Sequence, residues 1–295
     1  MHLLDAACLA RSALAAALLA GSPALAAISL DASAPRVQAP VMDLTADGVA
    51  AAASRYVAEY QSAFASLVAD ELYEQQLIED DLPTQMRRLE GELFLTYLPG
   101  DDEWITVHDV ATVDGRPLAG REDLRRLLQS GDVRGVVDRI ANHNAAFNIG
   151  PIIRNFNEPT LPLLILADKR ITHSRFRRVR IQNDGDVTLV TLAFEEKERP
   201  TLVASATGGA VFSKGSFVIE AGSGRVRETA IELEDGRVKA RLVTRYAPEE
   251  RLAMWVPVTF SEHYERSHRN GKREVVTGES TYSNYRRFMA TGRIK

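Results

Sequence analysis

Three short runs between residues 214 and 246, joined by turn residues, restrict this chain more than any other stretch. Ala221-Gly222-Ser223-Gly224 separates the first run from the second, and Glu234-Asp235-Gly236 separates the second from the third. Both linkers are rich in residues that accept hairpin-turn backbone angles, so the three runs should pair locally and antiparallel. In the third run Val238, Ala240, Leu242, Thr244 and Tyr246 alternate with Arg237, Lys239, Arg241, Val243 and Arg245. Period-two alternation of this kind gives one mostly apolar face and one basic face, which is the pattern of a half-buried strand. The second run puts Thr229, Ile231 and Leu233 on one face and Glu228, Glu232 and Glu234 on the other, so an acidic row lies beside the basic one. A one-residue slip would turn every apolar side chain to water, and the register is therefore strongly specified.

The same strand pattern recurs along much of the chain. Residues 72–78, 87–98 and 103–118 read as strands, and from Ser174 onward the sequence returns to them up to Phe288. Between these sets, 121–129 and 133–147 have helical spacing, and Pro162 interrupts an apolar run at 161–166 that reads as a short helix. Before them, Val57, Tyr60, Phe64, Leu67 and Val68 recur at three- and four-residue steps, which predicts an amphipathic helix from Asp47 to near Asp70. The predicted fold is α+β: a curved antiparallel sheet of about ten strands, coiled into a half-barrel, with helices packed on its concave side.

The amino terminus carries an apolar core at 13–20, followed by Gly21-Ser22-Pro23 and Ala24-Leu25-Ala26. That core is too short to span a bilayer, and small residues sit where a signal peptidase cuts. The expected organisation is a signal peptide at 1–26, a flexible tether at 27–45 and a single half-barrel domain at 46–295, with the mature protein periplasmic or secreted and without a transmembrane segment. Cys8 is the only cysteine, so cleavage would leave no thiol for a disulfide, a nucleophile or a cysteine-bound zinc. Charge is uneven: residues 1–150 carry a net −11 and residues 151–295 a net +7. The total is acidic and the basic residues alternate with Glu-rich strands, which argues against a nucleic-acid partner.

No motif for nucleophilic catalysis, no phosphate-binding glycine loop and no histidine pair with metal-ligand spacing is visible, so no catalytic residue, metal or cofactor is assigned. His263 and His268 are five apart near a strand end, and His108 and Asp109 are adjacent on a strand and so point to opposite faces. The most basic run is Arg175-Phe176-Arg177-Arg178-Val179-Arg180. Strand alternation would place Arg175 and Arg177 on one face and Arg178 and Arg180 on the other, either protecting a sheet edge or binding phosphate head groups. Trp255, before Pro257, either closes a cavity or fills the core.

Residues 215–226 are similar to a hairpin common in the periplasmic lipoprotein-carrier superfamily, which includes the outer-membrane lipoprotein carrier and related lipid-binding proteins. The ending Tyr282-Ser283-Asn284-Tyr285-Arg286-Arg287-Phe288 resembles the closing strand of uncharacterised secreted bacterial proteins of that kind. The resemblance implies an unclosed barrel with helices over its mouth, holding an acyl chain or an exported lipoprotein. The expected function is a non-enzymatic carrier or binding protein for an apolar ligand, with Phe217, Ile219, Ile231, Leu233, Leu242, Val258 and Phe260 lining an apolar cavity. An envelope protein is a further possible partner. The alternatives are a sensor or interaction module with a filled core, a structural envelope protein, or a hydrolase whose site is assembled from distant residues such as His108 and Asp138.

Overall fold

The computed structural model describes residues 42–63, 66–98, 103–119, 146–152, 154, 158–205, 208–268 and 270–288. Among these residues thirteen strands run in the order β1 (Leu67–Glu79), β2 (Leu82–Leu98), β3 (Glu103–Val113), β4 (Arg116–Pro117), β5 (Ser174–Asp184), β6 (Val187–Glu196), β7 (Val203–Ala204), β8 (Ala210–Val211), β9 (Lys214–Glu220), β10 (Val226–Asp235), β11 (Val238–Glu249), β12 (Met254–Ser267) and β13 (Arg273–Arg287). Eleven of them form one antiparallel sheet in the order β4-β3-β2-β1-β13-β12-β11-β10-β9-β6-β5, and β7 pairs with β8 separately. The sheet is open, since its end strands β4 and β5 pair with different neighbours. The chain thus makes one meander from β1 to β4, crosses to the far edge at β5, and returns strand by strand until β13 closes against β1.

The pairing at 214–246 is the one the alternation requires. Ile231 faces Leu242 across the β10–β11 ladder, and Glu232 faces Arg241. Arg241 lies 2.5 Å from Glu232 and Arg245 lies 2.9 Å from Glu228, so the acidic and basic rows form cross-strand pairs on the outer face. Ile231, Leu233, Leu242 and Tyr246 are buried on the opposite, covered face. The β1–β2 turn rests on Asp80 and Asp81, both with positive φ, as a two-residue hairpin requires.

Among the described residues the only α-helix is α1 (Ala46–Ala63), with short 3-10 turns at Leu161–Leu166, Ile171–His173 and Glu250–Leu252. The helical segments read at 121–129 and 133–147 fall almost wholly outside the described residues. Helix α1 begins at Thr45, whose hydroxyl accepts from the Gly48 backbone N–H at 3.1 Å. It buries Val49, Ala53, Val57 and Tyr60, the three- and four-residue stripe. It ends at Ala63 and not near Asp70, because Leu67, Val68 and Ala69 pair with Leu95, Phe94 and Leu93 of β2. Ladder bonds on both sides of β1 outweigh the helical periodicity that runs into it. The helix rests against the β9–β10 turn at Gly224, where φ is +71° and a Cβ would come within 2.1 Å of the Ala52 carbonyl.

Candidate functional site

The covered face of the sheet has two unlike halves. On β6 and β9–β12 it is apolar, and six of the residues read from the sequence as a lining lie there: Phe217, Ile219, Ile231, Leu233, Leu242 and Phe260 are all buried. Val258 is half-buried and unpaired at a bulge, since Arg245 faces Thr259 while Tyr246 faces Pro257. All seven join one apolar cluster with Val49, Ala53 and Val57 of α1 and with Leu163, Leu164, Ile165 and Leu166 of the 3-10 turn. The chain thus supplies its own roof here. The roof is tied down by polar contacts at one point: the Thr244 hydroxyl and the Tyr246 phenol both donate to the Pro159 carbonyl at 2.8 Å.

On β1, β12 and β13 the covered face is polar. Glu71, Tyr73 and Gln75 alternate in phase with the buried Leu67, Ala69 and Leu77 of β1 and so face inward with them. Segment 146–154 lies over them and delivers Arg154, whose guanidinium reaches Glu262 of β12 at 3.1 Å with both side chains fully buried. The same guanidinium donates to Gln75 at 2.5 Å and to the Ile149 carbonyl at 3.2 Å, while the Tyr73 phenol donates to Glu262. Gln75 in turn accepts from the Ile149 backbone N–H at 3.1 Å. Gly278 faces Glu262 across the β12–β13 ladder, and a Cβ there would meet the Glu262 carboxylate at 2.6 Å and the Tyr73 ring at 2.7 Å. Next to this group Glu71 accepts from Ser280 at 3.0 Å and lies 2.7 Å from His108 Nδ1. Burial raises the Glu262 pKa above the usual carboxylate value, with Arg154 and the Tyr73 hydrogen bond acting the other way. Burial likewise pushes up the Tyr73 phenol, and the Glu262 charge adds to it.

The carboxylate and guanidinium of this cluster have no exposed surface, and together they tie Arg154 to β12. Sequence reading missed it. Gln75 and Glu262 stand in phase with buried apolar residues, but nothing in the sequence marks Arg154 as their partner. The one available signal is the glycine of 275–281, which in a central strand points to a close approach.

The outer face is charged, and two cavities lie beside it, the smaller lined by residues of both faces and the larger mostly by those of the outer one. One of about 470 Å3 is lined by Glu195, Ser213, Leu233, Ala240 and His263 among others, and the other, of about 640 Å3, by Arg175, Arg177, Ala193, Lys214, Ser216, Glu232 and Arg241 among others. Of the seven residues read as a ligand lining, only Leu233 reaches either cavity. The basic run lies on β5, an edge strand as its two-sided charge suggests. Its faces differ from the alternation, however. Arg178 pairs with Leu192 and Arg180 with Thr191, so Val179 bulges out and Arg180 joins Arg175 and Arg177 on the outer face. Arg178, on the covered face, reaches the Leu44 carbonyl at 2.5 Å.

Trp255 lies under two guanidinium groups, those of Arg227 at 4.3 Å and Arg225 at 5.2 Å, and packs against the apolar cluster. His263 faces Arg241 on the outer side, and His268 is 2.9 Å from Glu274 just beyond β12. Among the described residues no three His, Cys, Asp or Glu side chains gather as metal ligands. Asp138, the distant partner considered for His108, lies outside the described residues. Also among them, no helix is long and apolar enough to cross a membrane.

No family model matches the sequence, and no curated protein matches it. Two solved structures are similar to it. One is a domain from Vibrio parahaemolyticus named for outer-membrane lipoprotein sorting, at 14% identity and TM-score 0.32, covering 80% of this chain and 92% of that one. The other is a DUF1329 family protein from Desulfovibrio piger ATCC 29098, at 9% identity and TM-score 0.38, covering 84% and 95%. At these TM-scores neither likeness carries a functional argument.

Proposed function

We propose that the chain is a non-enzymatic envelope protein that binds an apolar chain between the covered face of β9–β12 and its roof. The observation that supports this most is the nature of the roof. Leu161–Leu166 is an almost wholly aliphatic turn of 3-10 helix, buried from Pro162 to Leu166 and fastened nearby through the single carbonyl of Pro159. Its side chains occupy the place that an acyl chain would take against Phe217, Ile231, Leu242 and Phe260. Exchanging one aliphatic group for another over the same surface changes the buried apolar area little, so the ligand replaces what the turn withdraws. A periplasmic location and a lipid or lipoprotein acyl chain as ligand belong to the same proposal.

A second reading, an interaction module with a filled core, is favoured by the larger of the two cavities, which opens among charged residues of the outer face. Displacement of a fluorescent fatty acid separates the two. The carrier reading expects saturable displacement, and faster uptake in a Thr244→Val/Tyr246→Phe variant that lacks both donors to Pro159. No displacement by either protein at any accessible concentration would leave the interaction module.

A further inference from the structure

We propose that β5 is a docking edge for an extended acidic segment of a partner protein, which adds to the sheet as a further strand. Three observations converge on this strand. First, among the described residues β5 is the last strand of the sheet and pairs only with β6, so one side of its backbone along Ser174–Asp184 has no strand partner there. Second, the bulge at Val179 gathers Arg175, Arg177 and Arg180 onto the outer face, where Arg175 faces Glu195 while Arg177 and Arg180 face Ala193 and Thr191. The neighbouring acids are already engaged: Glu195 holds Lys197 at 2.5 Å and Glu232 holds Arg241 at 2.5 Å. The outer rim of the edge is therefore left with an excess of positive charge, beside the 640 Å3 cavity that Arg175 and Arg177 help to line. Third, Val179 and Ile181 on the same strand are 52% and 43% exposed, two of only six large apolar side chains so exposed among the described residues.

A strand added to such an edge takes affinity from main-chain hydrogen bonds and specificity from alternate side chains. Carboxylates on one face of the incoming segment meet the guanidinium row, where bidentate pairing is available, and apolar residues on its other face cover Ile181. A second copy of this chain is the wrong occupant, because two β5 edges would bring their arginine rows together.

The test uses the full chain and a synthetic peptide of about ten residues, the length of an ordinary strand, alternating glutamate with valine. Binding is followed by fluorescence anisotropy, and protection of the β5 amides by hydrogen exchange. The peptide is expected to bind, to protect the β5 amides, and to lose roughly tenfold or more in affinity to the Arg175→Glu/Arg177→Glu/Arg180→Glu variant. A counterpart with proline at two central positions keeps the carboxylates but lacks the ladder N–H groups, and should bind far more weakly. Equal binding of the proline peptide would overturn the proposal in favour of plain charge attraction. Binding of phosphatidylglycerol vesicles or inorganic phosphate with no binding of the peptide would overturn it in favour of an anionic head-group site.

Discussion

The two halves of the covered face solve the same problem by different means. Under α1 and Leu161–Leu166, β9–β12 are sealed by aliphatic and aromatic contact, with two hydrogen bonds to one carbonyl. Under segment 146–154, β1, β12 and β13 are sealed by a buried ion pair whose members also bind Tyr73, Gln75 and a backbone carbonyl. Apolar contact is non-directional and survives sliding, whereas a buried guanidinium and carboxylate fit only one arrangement. The polar half therefore fixes where the roof sits, while the apolar half leaves room for exchange.

The comparison breaks most sharply at Glu262. Glu262→Leu leaves Arg154 buried with no carboxylate, and should cost about 3–5 kcal/mol in urea unfolding. Phe217→Ala in the apolar half should cost a similar ~3–5 kcal/mol through cavity formation, but with a loss that does not change with pH. Arg154→Met should cost less than Glu262→Leu, because an abandoned glutamate can take up a proton and an arginine cannot give one away. The sign follows from the raised Glu262 pKa: its contribution is fully present below the ordinary carboxylate value and is lost as pH rises through the higher folded value. The Arg154→Met variant should accordingly lose stability from acid toward neutral pH, and a flat profile would show that Glu262 is not the group left behind.

The smallest effect is expected at Asp70, on the outer face of β1. Its pKa is lowered, chiefly by the hydrogen bond from Asn284 and also by Arg286 at 2.8 Å. Its contribution is present above the ordinary value and lost as pH falls through the lower folded one, the opposite direction to Glu262. Asp70→Asn should cost well under about 1 kcal/mol at neutral pH, since the pair is half-exposed, and nothing at strongly acid pH. A larger loss would mean that the outer face contributes more than its solvent contact implies.

The apolar half was legible in the sequence because its information is local. Ile231, Leu242 and their turn residues lie within one continuous stretch, and a two-residue period assigns every face. The polar half was not, because Glu71, Gln75 and Glu262 stand in phase with buried apolar neighbours but their chemistry does not mark them as buried. What satisfies Gln75 and Glu262 there is an arginine from far along the chain, which leaves no period. The same limit applies at β5, where the edge position was readable from its charge but the bulge that moves Arg180 across the sheet was not. The helix length failed for the converse reason: a helical period continued through Leu67 and Val68 into residues that pair as a strand.

The order of strands has a consequence for how the molecule comes into being. β1 and β13 lie side by side, joining Leu67 to Arg287 near the opposite ends of the described chain. As the chain emerges from the ribosome, β1–β4 can form a meander early, but its β1 edge waits for nearly the whole remaining sequence before it finds a neighbour. Closing so long a loop places this protein among slow folders of high contact order. Until β13 arrives, two part-sheets present open edges at β1 and β12, and a chain shortened before Arg273 should accumulate as aggregate and not as a smaller folded protein.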